Sequence, residues 1–165
     1  TDLQLVDTGV LTGTDDLQSY GLELAGAWGP WSLQGEYIGT GVNRSTGDDV
    51  DLDGWYVLGS WFLTGETRPY KAGEGVFDRV APTRSVGRGG GGAWELALRL
   101  SELDLNDGAL TGGLQRNLTA GVNWHLTPSV KLQANYIRVL EVDRPGAASD
   151  GDEPSAYTLR AQADF

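Results

Sequence analysis

A chain of 165 residues has room for one sizeable domain, but not for a closed wall of about 16 strands. Cysteine is absent, which excludes a disulfide framework and Cys-based zinc or redox sites, and 23 acidic against 12 basic residues, a net charge of −11, argue against nucleic acid as a partner. Apolar runs of only a few residues exclude a membrane-crossing helix, which needs roughly 20, so a chain of this kind can span a bilayer only as a barrel.

In chain order, Thr1-Asp-Leu-Gln-Leu-Val6 already alternates, and Leu3–Thr8 reads as a strand remnant. With no initiator Met and no basic-then-apolar leader, the expectation is the C-terminal part of a longer protein. Alternation bounded by turn residues then predicts strands at 19–28, 31–42, 52–63, 93–103, 115–126, 129–142 and 155–165, eight in all. Most run to about 10–14 residues, longer than the five or six usual in soluble sheets and enough for a tilted crossing of a hydrocarbon core. The fold class expected is all-β: an antiparallel transmembrane β-barrel of which this chain is half of sixteen strands.

Gly29-Pro30 and Thr127-Pro128 predict tight turns, whereas 9–18, 43–51, 104–114 and 143–154 read as longer polar loops. The loops and the strand ends beside them hold 15 of the 23 carboxylates, from Asp7 to Glu153, all on one side of the expected membrane. Counting strand directions back from a periplasmic C-terminus puts both ends of 64–92 at the periplasmic face. That segment is therefore expected to be a periplasmic excursion that makes no crossing. It carries Arg68, Lys71, Arg79, Arg84 and Arg88, so one mouth is acidic and the other basic.

Within the strands one row is apolar and the next polar. Leu118, Ala120, Val122 and Trp124 oppose Asn117, Thr119, Asn123 and His125; Trp94, Leu96, Leu98 and Leu100 oppose Glu95, Arg99 and Ser101; Trp31, Leu33 and Tyr37 oppose Gln34 and Glu36. A charged and amide-rich face suits a wet lumen rather than a packed core. Trp28, Trp31, Trp94 and Trp124 at one set of strand ends, and Tyr20, Tyr37, Tyr136 and Tyr157 toward the other, predict two aromatic girdles. Strand 52–63 is apolar on both faces, so its register is unreadable and one face is free to pack under an inward-folded loop. Tyr157, Leu159, Ala161, Ala163 and Phe165 alternate with Thr158, Arg160, Gln162 and Asp164 and stop on Phe, the ending that outer-membrane barrels present to the barrel-assembly machinery.

The candidate pore-lining set is Arg99, Arg116, Lys131, Arg160, Glu95, Asn123, Gln133, Asn135 and Gln162. Among ionisable groups Arg99, Arg116, Lys131 and Arg160 stand against Glu23, Glu36, Glu95 and Asp164, so the signs cancel, while a funnel for anions needs one sign to dominate. Arg160, Lys131 and Arg99 are the best contacts for a passing anion; the bland alternative is cross-strand pairing with a carboxylate. His125, the single histidine, has no companion for a metal site or a catalytic triad. Gly87-Arg-Gly-Gly-Gly-Gly92 lacks the Lys-Ser/Thr of a phosphate-binding loop and reads as a flexible lead into the next strand. Asp48-Asp49-Val-Asp51-Leu-Asp53 and Asp150-Gly-Asp152-Glu153 lack EF-hand spacing and read as solvated acidic loops, with bridging of divalent ions to lipopolysaccharide left open. No catalytic residue, metal or cofactor is expected.

Three blocks carry a family resemblance: Phe62-Leu-Thr-Gly-Glu-Thr-Arg-Pro-Tyr70, then Gly92-Ala-Trp-Glu-Leu-Ala-Leu-Arg-Leu-Ser-Glu-Leu-Asp-Leu-Asn-Asp107, then Gly121-Val-Asn-Trp-His-Leu-Thr-Pro-Ser-Val-Lys-Leu-Gln-Ala-Asn-Tyr136. They resemble the C-terminal half of the phosphate-selective porins O and P. The resemblance implies a sixteen-stranded, homotrimeric, anion-preferring pore in the outer membrane of Gram-negative bacteria, with lipid and lipopolysaccharide around it. It also implies an arginine ladder and a lysine-rich constriction, much of which lies in an N-terminal half and an infolded loop that this sequence does not contain. The expected function is a passive channel for small anions such as phosphate. A non-conducting barrel that binds a partner through its acidic loops, a barrel hydrolase or acyltransferase using His125, and a soluble sandwich are the alternatives.

Overall fold

Period-two alternation over a dozen residues favours extended chain, because each row of side chains then meets one environment only. The computed structural model describes residues 4–164 and places strands β1 (Thr14–Trp28), β2 (Trp31–Arg44), β3 (Val50–Phe62), β4 (Tyr70–Lys71), β5 (Val76–Phe77), β6 (Ala93–Asp107), β7 (Leu110–Thr127), β8 (Val130–Asp143) and β9 (Ser155–Ala163). Seven of them form one antiparallel sheet in the order β1-β2-β3-β6-β7-β8-β9, and β4 and β5 form a small hairpin apart from it. Among the described residues there is no helix.

The expected eighth strand at Leu3–Thr8 is replaced by irregular chain over residues 4–8, residue 3 lying outside the described part. Its polar groups are satisfied elsewhere: Ser149 Oγ donates to the Leu5 carbonyl (3.1 Å), Arg144 Nη2 to the Asp7 carbonyl (3.0 Å), and the Asp7 amide to the Gly112 carbonyl (2.8 Å). A short alternation needs no ladder when loops supply the partners. The long loop expected at 104–114 is also corrected. β6 and β7 continue to a two-residue turn at Gly108-Ala109, where Gly108 takes a φ of +53° that matches the twist of the flanking strands. Likewise β1 starts at Thr14, inside the loop expected at 9–18.

Register fixes the two faces. Leu22 and Leu24, Leu33 and Tyr37, Val57, Leu96 and Leu98, Ala120 and Val122, Leu132 and Ala134, and Leu159 fall on one face. None of the described residues covers that face: Leu24 is 75% and Leu98 54% exposed. Gln34, Ser60, Glu95, Arg99, Asn123, Gln133 and Arg160 fall on the other. On the apolar face five tryptophans, Trp28, Trp31, Trp61, Trp94 and Trp124, line one rim, with Trp31 stacked on Trp61 and Trp94 on Trp124, each at 5.0 Å between ring centroids. Tyr20 meets Tyr37 and Tyr136 meets Tyr157 toward the opposite, acidic rim. The eight residue steps from Tyr20 to Trp28 span about 27 Å along the strand at about 3.4 Å per residue, or roughly 20 Å once tilted, close to the apolar band of an outer-membrane barrel.

Segment 63–92 leaves β3 and re-enters at β6 on the Trp rim, while β3 and β6 pair directly. It is fastened by Leu63 N–H to the Trp94 carbonyl and Val86 N–H to the Leu126 carbonyl, both 2.8 Å, and it folds over the polar face. There Phe62, 1% exposed, packs with Val80 and Ala93 in a small core. This resolves the ambiguous strand: Trp55, Val57 and Trp61 belong to the open apolar face, and Tyr56, Leu58 and Phe62 to the polar face, Phe62 beneath the segment. The sheet is open, with β1 and β9 as its edges, and both edge strands run toward the Trp rim.

Candidate pore wall

The polar face is densest in chemistry near the Trp rim. Glu95 is the third residue of β6, and its register row continues through Asn123 of β7 and Gln133 of β8 to Arg160 of β9. Its carboxylate is fully buried. Arg68 Nη2 donates to Oε1 at 2.5 Å, Asn123 Nδ2 to Oε2 at 2.9 Å, and His125 Nε2 lies 3.3 Å from Oε2. Gln133 Nε2 donates onward to Asn123 Oδ1 at 2.8 Å. Burying a carboxylate is costly unless it is paired and its lone pairs are satisfied, and here both conditions hold.

Arg68 arrives from outside the wall. It sits in the 63–92 segment, its guanidinium carbon 5.2 Å from the centre of the Phe77 ring. The turn beginning this segment is set by Glu66, buried itself, which accepts from the Thr64 hydroxyl and from Thr83 N–H at 3.1 Å. Burial alone would raise the Glu66 pKa, but the bonds from Thr64 and Thr83 outweigh it and hold the carboxyl below its ordinary value. Farther round the cleft, Arg68, His125, Lys131, Gln162 and Asp164 line a cavity of about 330 Å³.

The remaining candidates separate. Arg99 is exposed on the polar face and lies over the Tyr56 ring at 4.2 Å, beside a cavity of about 510 Å³ that also touches Glu36, Ile38, Ser101 and Leu103. Arg160 is exposed opposite Gln133, and Lys131 is half-buried between His125 and Gln162. Asn135 donates to Thr158 Oγ1 at 3.1 Å, and Gln162 to the Asp164 carboxylate at 3.1 Å. Arg116 does not join them. It shares the face of Leu118 and Trp55, where it binds Glu102 through Nε (2.7 Å) and Glu141 through Nη1 (2.9 Å) near the acidic rim. Its spacing of two from Leu118 is the signal for that placement. Glu95 and Asn123, expected as open wall, are buried. Tyr157, Leu159, Ala161 and Ala163 do share the apolar face, and Phe165 lies outside the described residues.

Among residues that sequence reasoning missed, Arg68 matters most, since no periodicity marks a partner 27 positions from Glu95. Yet all three blocks of resemblance meet here: the first supplies Glu66 and Arg68, the second Glu95, the third Asn123, His125, Lys131 and Gln133. The model of the family described as phosphate-selective porin O and P matches residues 1–165. The chain belongs to that family. Porin O of Pseudomonas aeruginosa is 30% identical over 160 residues, covering 88% of this chain and 35% of that protein. An uncharacterized protein of Caulobacter vibrioides is 35% identical over 133 residues, covering 81% of this chain and 26% of that one. The chain thus spans between a quarter and about a third of these relatives' length. The antiparallel all-β sheet accords with membership of a porin family.

Proposed function

We propose that this chain is a section of the wall of an outer-membrane β-barrel that passes small anions, phosphate among them, down their gradient. The observation that supports it best is the pairing of a largely exposed apolar face, edged by tryptophans and tyrosines, with a polar face on which Lys131 and Arg160 occupy adjacent polar rows nearest the Trp rim and Arg99 lies two polar rows farther on. The apolar face meets lipid; the polar face meets water and the passing ion. The family's description, phosphate-selective porin O and P, supplies the solute class.

Strand direction restricts how such a wall can close. Because β1 and β9 run the same way, joining them directly, in one copy or between copies of one orientation, would make a parallel seam. An antiparallel barrel needs an odd number of added strands, and nine added to these seven would complete sixteen. In this reading the barrel assembles as a homotrimer, handled by the barrel-assembly machinery through β9. The Trp rim, the 63–92 segment and the C-terminus are periplasmic, and the acidic rim faces lipopolysaccharide.

The test is the reversal potential of the full-length protein in planar bilayers under a KCl gradient, followed by titration of phosphate against the chloride current. Anion selectivity and block by phosphate are expected. A conducting channel indifferent to phosphate would remove the solute, and the absence of current would leave a structural barrel bound through its acidic loops.

A further inference from the structure

We propose that Arg68 sets the ion preference of this pore, by neutralising a buried carboxylate that would otherwise offset the cations of the wall. The inference rests on the pore reading above and names a determinant of its selectivity.

Glu95 occupies the same register row as Arg160, and its row neighbours the one that holds Lys131. An ionised, uncompensated Glu95 would therefore stand among the cations nearest the Trp rim. Fields in a pore add only where one sign dominates. The structure offsets that charge directly: a guanidinium only 19% exposed closes on the fully buried carboxylate at 2.5 Å. His125, the other ionic neighbour, carries charge only when protonated.

The manner of holding singles out the pair. Among the described residues Arg68 Nε is buried without a hydrogen-bond partner, so the side chain is not the centre of a satisfied network. It is held at Glu95 by one ion pair and by the Phe77 ring. Leaving a guanidinium N–H orphaned is unfavourable, and it persists here because the strand and the segment together dictate where the charge must sit. With Glu95 neutralised and Arg116 turned to the opposite face, the open ionic groups of the polar face from β6 to the end of β9 are, among the described residues, Arg99, Lys131 and Arg160 against Asp164, which accepts from the neutral Gln162 amide and keeps its charge. The anionic residues Glu23 and Glu36 lie together across the sheet on β1 and β2. The wall is thus sorted by sign, and Arg68 is the residue that completes the sorting.

Reversal potentials of the full-length protein and of four variants test this, with assembly checked by heat-modifiable migration. Arg68→Gln should lower the anion-over-cation permeability ratio by about threefold or more, since an unmasked wall charge acts at short range in a poorly screened site. Arg68→Gln combined with Glu95→Gln should restore it, and Glu95→Gln alone should raise it above wild type. Arg88→Gln, the same charge change on an exposed residue of the same segment, should move it far less. Equal shifts for Arg68→Gln and Arg88→Gln, or no rescue by the double variant, would overturn the masking role. If Arg68→Gln does not assemble, an unchanged ratio in Glu95→Gln overturns it alone. A cation-selective wild type would defeat the anion reading while a shift in Arg68→Gln still upholds Arg68, and a silent wild type would defeat both.

Discussion

Trp94 of β6 and Trp124 of β7 lie directly opposite each other and stack at 5.0 Å with 15° between their planes, on a face that none of the described residues covers. Trp124 also donates Nε1–H to the Gly91 carbonyl at 2.8 Å, so the pair has an apolar body and a tethered polar tip. Rings of that kind settle at the headgroup level of a bilayer. Quenching by lipids brominated near the headgroup should therefore exceed quenching by lipids brominated near the chain ends. A double-mutant cycle, Trp94→Leu with Trp124→Leu, should give a coupling of about 0.5–1.5 kcal/mol. Stronger quenching from the bilayer centre would remove the rim assignment.

The two faces should respond oppositely to charge. Leu98 sits near the middle of the exposed apolar face, and an arginine there would face hydrocarbon at a cost of about 2–4 kcal/mol. Ser101 lies on the polar face beside the cavity of about 510 Å³, with room and water for the same substitution. Ser101→Arg should stay within about 0.5 kcal/mol of wild type. Urea unfolding from lipid vesicles measures both, and similar losses for Leu98→Arg and Ser101→Arg would contradict the assignment of faces.

What the sequence made legible follows from what is local. Alternation identified all seven sheet strands and separated Leu96 and Leu98 from Glu95 and Arg99, because period two is written into neighbouring residues. Strand ends were read short at Thr14 and Asp107, since polar residues such as Asp15, Asp16 and Asn106 mimic loops while a strand extends past an apolar band. Arg116 was misplaced by its charge, although its spacing from Leu118 already put it on the apolar side. The Arg68–Glu95 pair was out of reach for another reason: it joins an aperiodic segment to a strand, and nothing short of the folded chain specifies which cation finds that carboxylate.

Glu66 should make the docking of segment 63–92 sensitive to acid. Its carboxyl is held below its ordinary value, against burial, by the Thr64 hydroxyl and Thr83 N–H. A depressed carboxylate contributes stability that is fully present above the ordinary pKa and lost as pH falls through the lower, folded one. Because this chain has no cysteine, a spin label at Arg88→Cys can report the segment. Label mobility should be flat at neutral pH and rise below about pH 4.5. In Glu66→Gln the part of that rise due to this group should vanish, with the segment looser at neutral pH by about 1 kcal/mol. Identical acid profiles in the two proteins would assign the release elsewhere.

Gly92, where the segment re-enters the sheet, should tolerate no side chain. Its φ is +72°, and a Cβ there would stand 2.5 Å from the His125 carbonyl oxygen and 2.9 Å from Trp124 Nε1. The carbonyl is backbone of β7 and cannot swing aside, so strain adds to the left-handed conformation, itself worth about 1–2 kcal/mol. Gly91, one residue earlier, has open space around the same position. Its carbonyl keeps Trp124 whatever side chain it carries, so Gly91→Ala should be neutral or stabilising by about 0.4–1 kcal/mol through the unfolded chain. Hydrogen exchange at Trp94, whose amide donates to Thr64 Oγ1 at 3.0 Å, reads the junction directly. Faster exchange in Gly92→Ala and unchanged exchange in Gly91→Ala are expected. The reverse order would mean that the entry to β6 is held by something other than the approach of Gly92 to His125.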